Sequence, residues 1–332
     1  MTSFTFEKIL IIRLSSLGDV LLTTPLLTAL RREYQSCQID FLVREEYSDV
    51  LRYNPLLNKL IKYSKDGSDA ANLKKELECG GYTLVIDLQN NFRSRSLTLG
   101  INSKVVRFYK NTISKFLLVN LKINLLKNSA SITERYAEAA GIKLNDGDRV
   151  KLYLPESDLI ENKQGDNKMI GLCPGAKHFT KRWLKEYYIE LGKLLIKNSF
   201  SVCLLGGKDE KDLCEQISKE IPGAINHSTD NNLFQLAIKM KQCSAIVCND
   251  SGLMHLASAL QIPVAAIFGS TVKEFGFFPY KNRSSVIENN SLTCRPCSHI
   301  GRESCPKKHF RCMRDIEPND VFKQLINLIS YE

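Results

Sequence analysis

The sequence has no long hydrophobic run. None of its 332 residues lies in a stretch approaching the ~18 uninterrupted apolar residues of a membrane-spanning helix, so any membrane contact is expected to be peripheral. The amino terminus, MTSFTFEKILIIRLSSLGDVLL, shows no small-residue cleavage pattern, and Arg13 interrupts its short apolar run. That argues against a secretory signal and for a cytoplasmic protein. Repeats and collagen-like or disordered composition are missing too: 43% hydrophobic and 25% charged residues are those of a globular chain. At roughly 100–200 residues per domain, the length suggests two domains. Acidic residues are the scarcer charge, 36 against 46 lysines and arginines, for a net +10. A basic surface favours anionic partners: nucleotide phosphates, nucleic acid or an acidic membrane face. Aromatic residues are not interleaved with the basic runs as a base-stacking surface would need, so no nucleic-acid partner is expected.

Cysteine, by contrast, is plentiful at 11 residues. Several, such as Cys173, Cys203, Cys243 and Cys248, lie in or beside apolar runs and read as small buried hydrophobes in a reducing compartment. Four others cluster as Cys294-x2-Cys297-x7-Cys305-x6-Cys312, with His299 and His309 nearby. Those spacings could hold a structural zinc. Unliganded thiols, disulfides and an iron–sulfur cluster remain alternatives, and none is assigned a catalytic role.

Apolar runs and amphipathic stretches alternate along the chain. Strands are expected at Lys8–Leu14, Ile39–Val43, Lys59–Tyr63, Tyr82–Leu88 and Lys104–Phe108, with helices from Asp19 to Arg32 and at Tyr47–Leu51, Ala70–Glu78 and Ile132–Ala140. A polar Pro- and Gly-containing segment, 154–167, reads as a linker between a first domain, 1–153, and a second, 168–317. In the second, strands are expected at Met169–Cys173, Ser201–Leu205, Ala245–Cys248 and Val264–Phe268, between helices at Leu184–Lys197, Lys211–Lys219, Leu233–Lys241 and Leu253–Leu260. A last helix covers 318–332. Alternation of this kind implies an α/β protein of two Rossmann-like domains, parallel sheets facing across a cleft. Ligands in such folds bind at the carboxyl ends of strands.

Four strand-end motifs follow from that rule. Ser15-Ser16-Leu17-Gly18-Asp19 presents a carboxylate at a helix entrance, where it could take a proton from a hydroxyl or simply cap the helix. Cys173-Pro174-Gly175-Ala176, leading to Lys181 and Arg182, puts positive charge where phosphate oxygens would lie. Gly206-Gly207-Lys208-Asp209-Glu210 offers Glu210 to a ribose hydroxyl, or only a first-turn glutamate. Asn249-Asp250-Ser251-Gly252-Leu253-Met254-His255 opens a helix whose free N–H groups suit phosphate, with Ser251 and His255 one turn apart.

The stretches I-x-R-x-S-S-L-G-D-V-L-L-T-T-P, P-G-A…K-R-W and N-D-S-G-L-M-H-L-A, in that order from about Ile9 to Val321, resemble glycosyltransferase family 9, the ADP-heptose:lipopolysaccharide heptosyltransferases. The resemblance implies a GT-B fold, with the terminal helix crossing back to the first domain, and inverting transfer of heptose from an ADP-sugar to a lipid A-core acceptor. It implies no catalytic metal. Asp19 would be the general base, with Ser16, Gly18 and Arg93 on the acceptor side. Lys181 would neutralise the donor phosphates, Asp250, Ser251, Gly252 and His255 would cradle the diphosphate, and Thr180 and Glu210 would complete the donor site. Pro174–Trp183 lacks the longer spacing of enzymes that add the second heptose. A family member using another nucleotide sugar and, from a different class, a nucleotide- or nucleic-acid-binding module are the alternatives. The basic surface would suit docking on the anionic inner-membrane face.

Overall fold

The computed structural model describes residues 6–155, 168–229 and 232–330. The expected linker, 154–167, lies outside them apart from its first two residues. The chain divides into two compact units, one formed by residues up to Lys110 with Ala130–Tyr153, the other by Asn111–Ser129 and the residues from Leu154 onward.

The first unit is a five-stranded parallel sheet. Its strands are β1 (Lys8–Ile12), β2 (Gln38–Arg44), β3 (Lys59–Tyr63), β4 (Leu84–Asp87) and β5 (Lys104–Arg107), in the spatial order β3-β2-β1-β4-β5. Helices α1 (Leu17–Leu21), α2 (Thr24–Glu33), α3 (Ala70–Glu78), α4 (Phe92–Thr98) and α6 (Ile132–Ala139) belong to the same unit. β1 is central, Ile9–Ile12 are fully buried, and Leu10 pairs with Asp40 on one side and Val85 on the other. Strands covered on both faces need continuous apolar runs, which is what KILII and LVID supply. The single helix expected from Asp19 to Arg32 is two, α1 and α2. Pro25 has no N–H to offer the Leu21 carbonyl, and the Thr24 hydroxyl takes that carbonyl instead at 2.8 Å. The helix expected at Tyr47–Leu51 is a 3-10 helix that runs over Glu45–Val50.

The second unit holds a six-stranded parallel sheet in the order β11-β10-β9-β6-β7-β8. Its strands are β6 (Met169–Cys173), β7 (Ser201–Leu204), β8 (Ile225–Asn226), β9 (Ala245–Asn249), β10 (Val264–Phe268) and β11 (Ser284–Glu288). Its helices are α5 (Thr112–Asn120), α7 (Lys185–Lys197), α8 (Lys211–Glu220), α9 (Leu233–Lys241), α10 (Gly252–Ala259), α11 (Arg311–Arg314) and α12 (Pro318–Ser330). One segment departs from the sequence expectation. Asn111–Ser129 reads with the first half but packs with the second unit, where Leu118 and Leu126 are buried with Phe275. The terminal helix α12 buries Val321, Leu325 and Ile329 in the second unit's own core, against α7 and β9–β11.

Each sheet reverses its strand order once. In the first unit the chain goes outward from β1 to β3 and then returns to β4 on β1's other side. In the second it goes from β6 to β8 and returns to β9 beside β6. Carboxyl ends at such reversals leave a crevice for a ligand. The loops after β1, β4, β6 and β9 occupy those positions.

Candidate active site

In the first unit, Arg13 ends the buried run of β1 and is 9% exposed. A buried guanidinium needs partners. Its Nη1 donates to the Leu88 carbonyl at 2.8 Å, and its Nη2 lies 2.5 Å from Asp19 Oδ1. Gln89, just past β4, accepts the N–H groups of Leu14 and Ser15 through Oε1 at 3.0 and 3.3 Å. The exit of β4 thus holds the exit of β1 in place.

Asp19 divides its work between its two oxygens. Oδ2 accepts the Ser16 N–H at 3.2 Å and the Ser16 hydroxyl at 2.8 Å, which closes the start of α1. Oδ1 faces Arg13 and accepts the Tyr136 hydroxyl at 3.3 Å. The carboxylate is therefore a helix cap and a partner of buried donors at once. Burial opposes its charged form, but Arg13 and the Ser16 hydrogen bonds outweigh burial and hold its pKa below the ordinary 3.8. It is a carboxylate at neutral pH, able to accept a proton, with its basicity reduced by the ion pair. Burial keeps Tyr136 protonated, so it serves as a donor. Burial, then repulsion from Arg13, lowers the pKa of Lys110.

Ser16 is exposed beside Asp19, and Gly18 is buried within α1. Arg93 is exposed in the first turn of α4. That helix starts with a reciprocal cap, in which Ser94 N–H donates to Asn91 Oδ1 and Asn91 N–H donates to Ser94 Oγ, both at 3.0 Å. The buried Asp87 at the end of β4 accepts the Asn90 N–H at 2.7 Å and the Ser94 hydroxyl at 2.9 Å, fixing the loop that presents Arg93.

In the second unit, Asn249 links the two central strand ends. Its Nδ2 donates to the Pro174 carbonyl at 2.8 Å, and its Oδ1 accepts the Trp183 N–H at 2.9 Å. The next residue, Asp250, is 5% exposed. Its Oδ2 lies 2.7 Å from Lys181 Nζ and accepts the Thr271 hydroxyl at 2.6 Å. Lys181 is thereby held at the β9 exit by a carboxylate.

Thr180 plays a different part. It is 1% exposed, its hydroxyl donates to Ser270 Oγ at 3.0 Å, and it accepts the Arg302 N–H at 2.8 Å. Its hydroxyl is committed to joining loops. Glu210 accepts the Gly207 N–H at 3.0 Å, and its side chain rests against Gly175 so closely that a Cβ there would overlap Glu210 Cγ. Ser251 is the N-cap of α10, Gly252 is its first residue, and His255 is 5% exposed with its ring 6.5 Å from that of Phe277 in a T-shaped arrangement. The Ser251 hydroxyl is buried and has no hydrogen-bond partner among the described residues. The first N–H groups of a helix have no intrahelical acceptor, and α10 has no acidic residue in its first turn to take them. These groups together suit an anion at the start of α10.

The cysteine cluster differs from the zinc expectation. Among the described residues no three His, Cys, Asp or Glu side chains converge as a metal-ligand set. The Cys294 thiol lies 3.7 Å from His309 Nε2, and Cys312 is buried. The loop is held by backbone contacts instead. The buried Arg295 donates to the carbonyls of Gly269 and Asn289, both at 2.6 Å, and of Thr271 at 2.9 Å, and pairs with Glu288 at 2.8 Å. No described helix is long and apolar enough to cross a membrane.

Arg13, Gln89, Asp87 and Asn249 are not among the site residues the sequence pointed to, yet they position those that are. Arg13 carried a signal, since a cation inside a buried strand requires a counter-charge. Asn249 opens the fourth strand-end motif, but what its amide holds is not legible there, and for Gln89 the sequence offers only its place just past a strand.

Residues 70–308 match the sequence model of glycosyltransferase family 9 (heptosyltransferase). The lipooligosaccharide heptosyltransferase 2 of Campylobacter jejuni is 28% identical over 95% of this chain and 96% of its own length. The lipopolysaccharide heptosyltransferase 2 of Salmonella typhimurium is 25% identical, over 98% and 99%. Among solved structures, a family 9 glycosyltransferase from Veillonella parvula superposes with a TM-score of 0.80 at 21% identity, covering 100% of this chain and 99% of the other. The Escherichia coli ADP-heptose lps heptosyltransferase II superposes with a TM-score of 0.71 at 26% identity, over 97% and 98%. The matched region spans both units and the loops after β4, β6 and β9, and the chain belongs to glycosyltransferase family 9.

Proposed function

We propose that this enzyme transfers heptose from ADP-heptose to the inner core of lipopolysaccharide, with inversion at the anomeric carbon. The names of its relatives support the donor and acceptor classes. The observation that carries the chemistry is Asp19, a carboxylate at the β1 exit kept ionised by Arg13. In the proposed reaction an acceptor hydroxyl gives its proton to Asp19 as its oxygen bonds to the anomeric carbon. The bond from that carbon to the diphosphate breaks, and ADP leaves with the electron pair.

The leaving diphosphate gathers negative charge. Lys181, the N–H groups at the start of α10 with Gly252, the orphan Ser251 hydroxyl and His255 are the groups proposed to receive it. Asp250 would orient Lys181, Glu210 would face the ribose, and Thr180 would hold the Lys181 turn. Ser16, Gly18 and Arg93 would line the acceptor side, Arg93 meeting lipid A-core phosphates. No catalytic metal is part of this proposal, and neither is the zinc expected at Cys294, Cys297, Cys305 and Cys312. The enzyme would work at the cytoplasmic face of the inner membrane, where such an acceptor is presented.

The test is transfer from ADP-heptose to a heptose-deficient lipopolysaccharide by the wild type and Asp19→Asn, with ADP binding followed by thermal shift. Transfer that falls at least about a hundredfold in the variant while ADP still stabilises both proteins would support the base. Equal transfer by both would remove Asp19 from the chemistry. ADP binding without any transfer by the wild type would refute the donor–acceptor assignment.

A further inference from the structure

Between Asp87 and Glu134 the chain has no acidic residue and eight lysines and arginines. Within that stretch, Asn111–Ser129 packs on the second unit through Leu118 and Leu126, which are buried with Phe275. The same segment turns a second apolar set outward. Ile113 is 67% exposed, Phe116 60%, Leu121 59%, Ile123 48% and Leu125 62%. Ile113 and Phe116 are three apart on α5, so they share a face of the helix. Water-facing residues of a short helix are ordinarily polar. Five large aliphatic and aromatic side chains exposed within thirteen residues form a patch of the kind that marks an interaction surface.

The charge around the patch narrows the choice of partner. Lys115, Lys122 and Lys127 are interleaved with the apolar side chains, and no carboxylate lies in the segment. The Lys122 ammonium is held by the carbonyls of Val119 at 2.8 Å, Cys294 at 3.2 Å and Pro296 at 2.6 Å, which pins the chain where it leaves α5. In sequence, Lys115 and Lys127 lie on either side of that pin. An apolar face flanked by cations and anchored to a folded unit matches a bilayer interface with anionic headgroups: the apolar side chains enter the acyl boundary and the lysines meet phosphate. A second copy of this chain would bring the same cations against each other and be repelled.

We propose that Asn111–Ser129 is an interfacial membrane-docking element, inserting Ile113, Phe116, Leu121, Ile123 and Leu125 into a leaflet rich in anionic lipid. The element deepens the proposed function, on which it rests only in that a glycolipid acceptor would give such docking a purpose. Its binding needs neither donor nor acceptor.

The experiment is co-sedimentation of the full chain with phosphatidylcholine vesicles, with and without phosphatidylglycerol. The variants are wild type and Phe116→Ser/Leu125→Ser, each also in about 0.5 M salt, where the Debye length falls to a few ångströms. Both substituted residues are exposed, so folding is checked simply by melting temperature. The expected result is partition of the wild type onto the anionic vesicles only, falling about tenfold or more in the double variant and in high salt. A wild type that stays in solution with anionic vesicles would overturn the proposal, as would a double variant that partitions equally well. Self-association of the wild type in sedimentation velocity, abolished in the double variant with no vesicle binding, would reassign the patch to a dimer. Failure of the transfer assay with vesicle binding intact would strike the proposed function and leave the docking element standing.

Discussion

The Arg13 guanidinium, buried at the end of β1, lies 2.5 Å from Oδ1 of Asp19 in the first turn of α1. The pair joins a strand end to the helix that follows it, and it sets the titration of the carboxylate. Burial raises the pKa of Asp19, while Arg13 and the Ser16 donors lower it by more. Removing Arg13 leaves burial opposed by the hydrogen bonds from Ser16 and Tyr136, without the guanidinium's charge. In Arg13→Met the acid limb of the pH profile of kcat/KM is therefore expected to move to higher pH. An acid limb in the same place in both proteins would disconnect Arg13 from the titrating group.

The same pair makes a prediction about stability. A carboxylate whose folded pKa is depressed stabilises the fold above its unfolded pKa, and that contribution is lost as pH falls through the folded value. Asp19→Asn leaves Arg13 buried without its counter-charge at every pH. The melting-temperature gap between wild type and Asp19→Asn should be widest near neutrality and close as the pH drops below 3.8, the ordinary value for the group. Melting curves across that range decide it, and a gap independent of pH would mean the ion pair adds nothing to stability.

Asn249 is the second positioning residue with a measurable consequence. One amide donates to Pro174 and accepts from Trp183, so it needs both a donor and an acceptor. Asn249→Asp keeps the size and the acceptor but sets a carboxylate against the Pro174 carbonyl. The expected loss is on the order of 2–3 kcal/mol, that of a buried polar group left without its partner. It should be seen as a lower urea midpoint, and ADP should then protect less well because the loop after β6 is loosened. An Asn249→Asp protein as stable as wild type would show that the Pro174 contact contributes little.

Much of this organisation can be read from residue patterns, for stated reasons. The strands β1, β4, β6 and β9 are legible because burial on both faces demands unbroken apolar runs such as KILII and AIVCN. Gly18, Gly175 and Gly252, soon after β1, β6 and β9, mark three of the loops. β11, with the sequence SSVIE, is half-buried throughout and forms as an edge partner of β10, so periodicity does not announce it. α4 is decided by the Asn91–Ser94 cap, and α5 by apolar residues on both of its faces. Within the site, Asp19 and Lys181 stand out as charges at strand exits. The ties of Arg13 to Leu88 and of Asn249 to Pro174 each reach across 75 residues, and pairings that distant are set by the sheet order. The division at Asn111–Ser129 escapes for a similar reason, since its buried contacts are with Phe275.

The proposed donor-site role of Lys181 and Asp250 makes a prediction about ADP affinity. The ammonium is held at 2.7 Å by a carboxylate that is itself bonded to Thr271, so in the proposed donor site an arriving diphosphate would meet a cation already in position. Lys181→Ala should weaken ADP about 10- to 100-fold, the loss of a charge-assisted contact. Asp250→Ala should cost stability as well, on the order of 2–3 kcal/mol, toward the low end for a buried pair because Lys181 keeps some contact with solvent. Calorimetric titration with ADP beside melting curves separates the two. Unchanged ADP affinity in Lys181→Ala would take the lysine out of the donor site.

The contact between Gly175 and Glu210 allows a sharper test, because it predicts a coupling. A methyl group at position 175 would collide with Cγ, Cδ and Oε1 of Glu210, which are the nearest atoms to it. Overpacking of this kind typically costs about 1–3 kcal/mol, and here it would displace the glutamate proposed to face the ribose. In a Glu210→Ala background all three of those atoms are gone and the methyl has room. Gly175→Ala should therefore lower ADP affinity and melting temperature in the wild type, and have a much smaller effect once residue 210 is alanine. A double-mutant cycle on both quantities measures the difference. An interaction energy of about 1 kcal/mol or more would establish that the turn after β6 and the turn after β7 bind as one surface. If Gly175→Ala costs the same in both backgrounds, the glycine is needed for some other reason, and Glu210 has no part in shaping the loop.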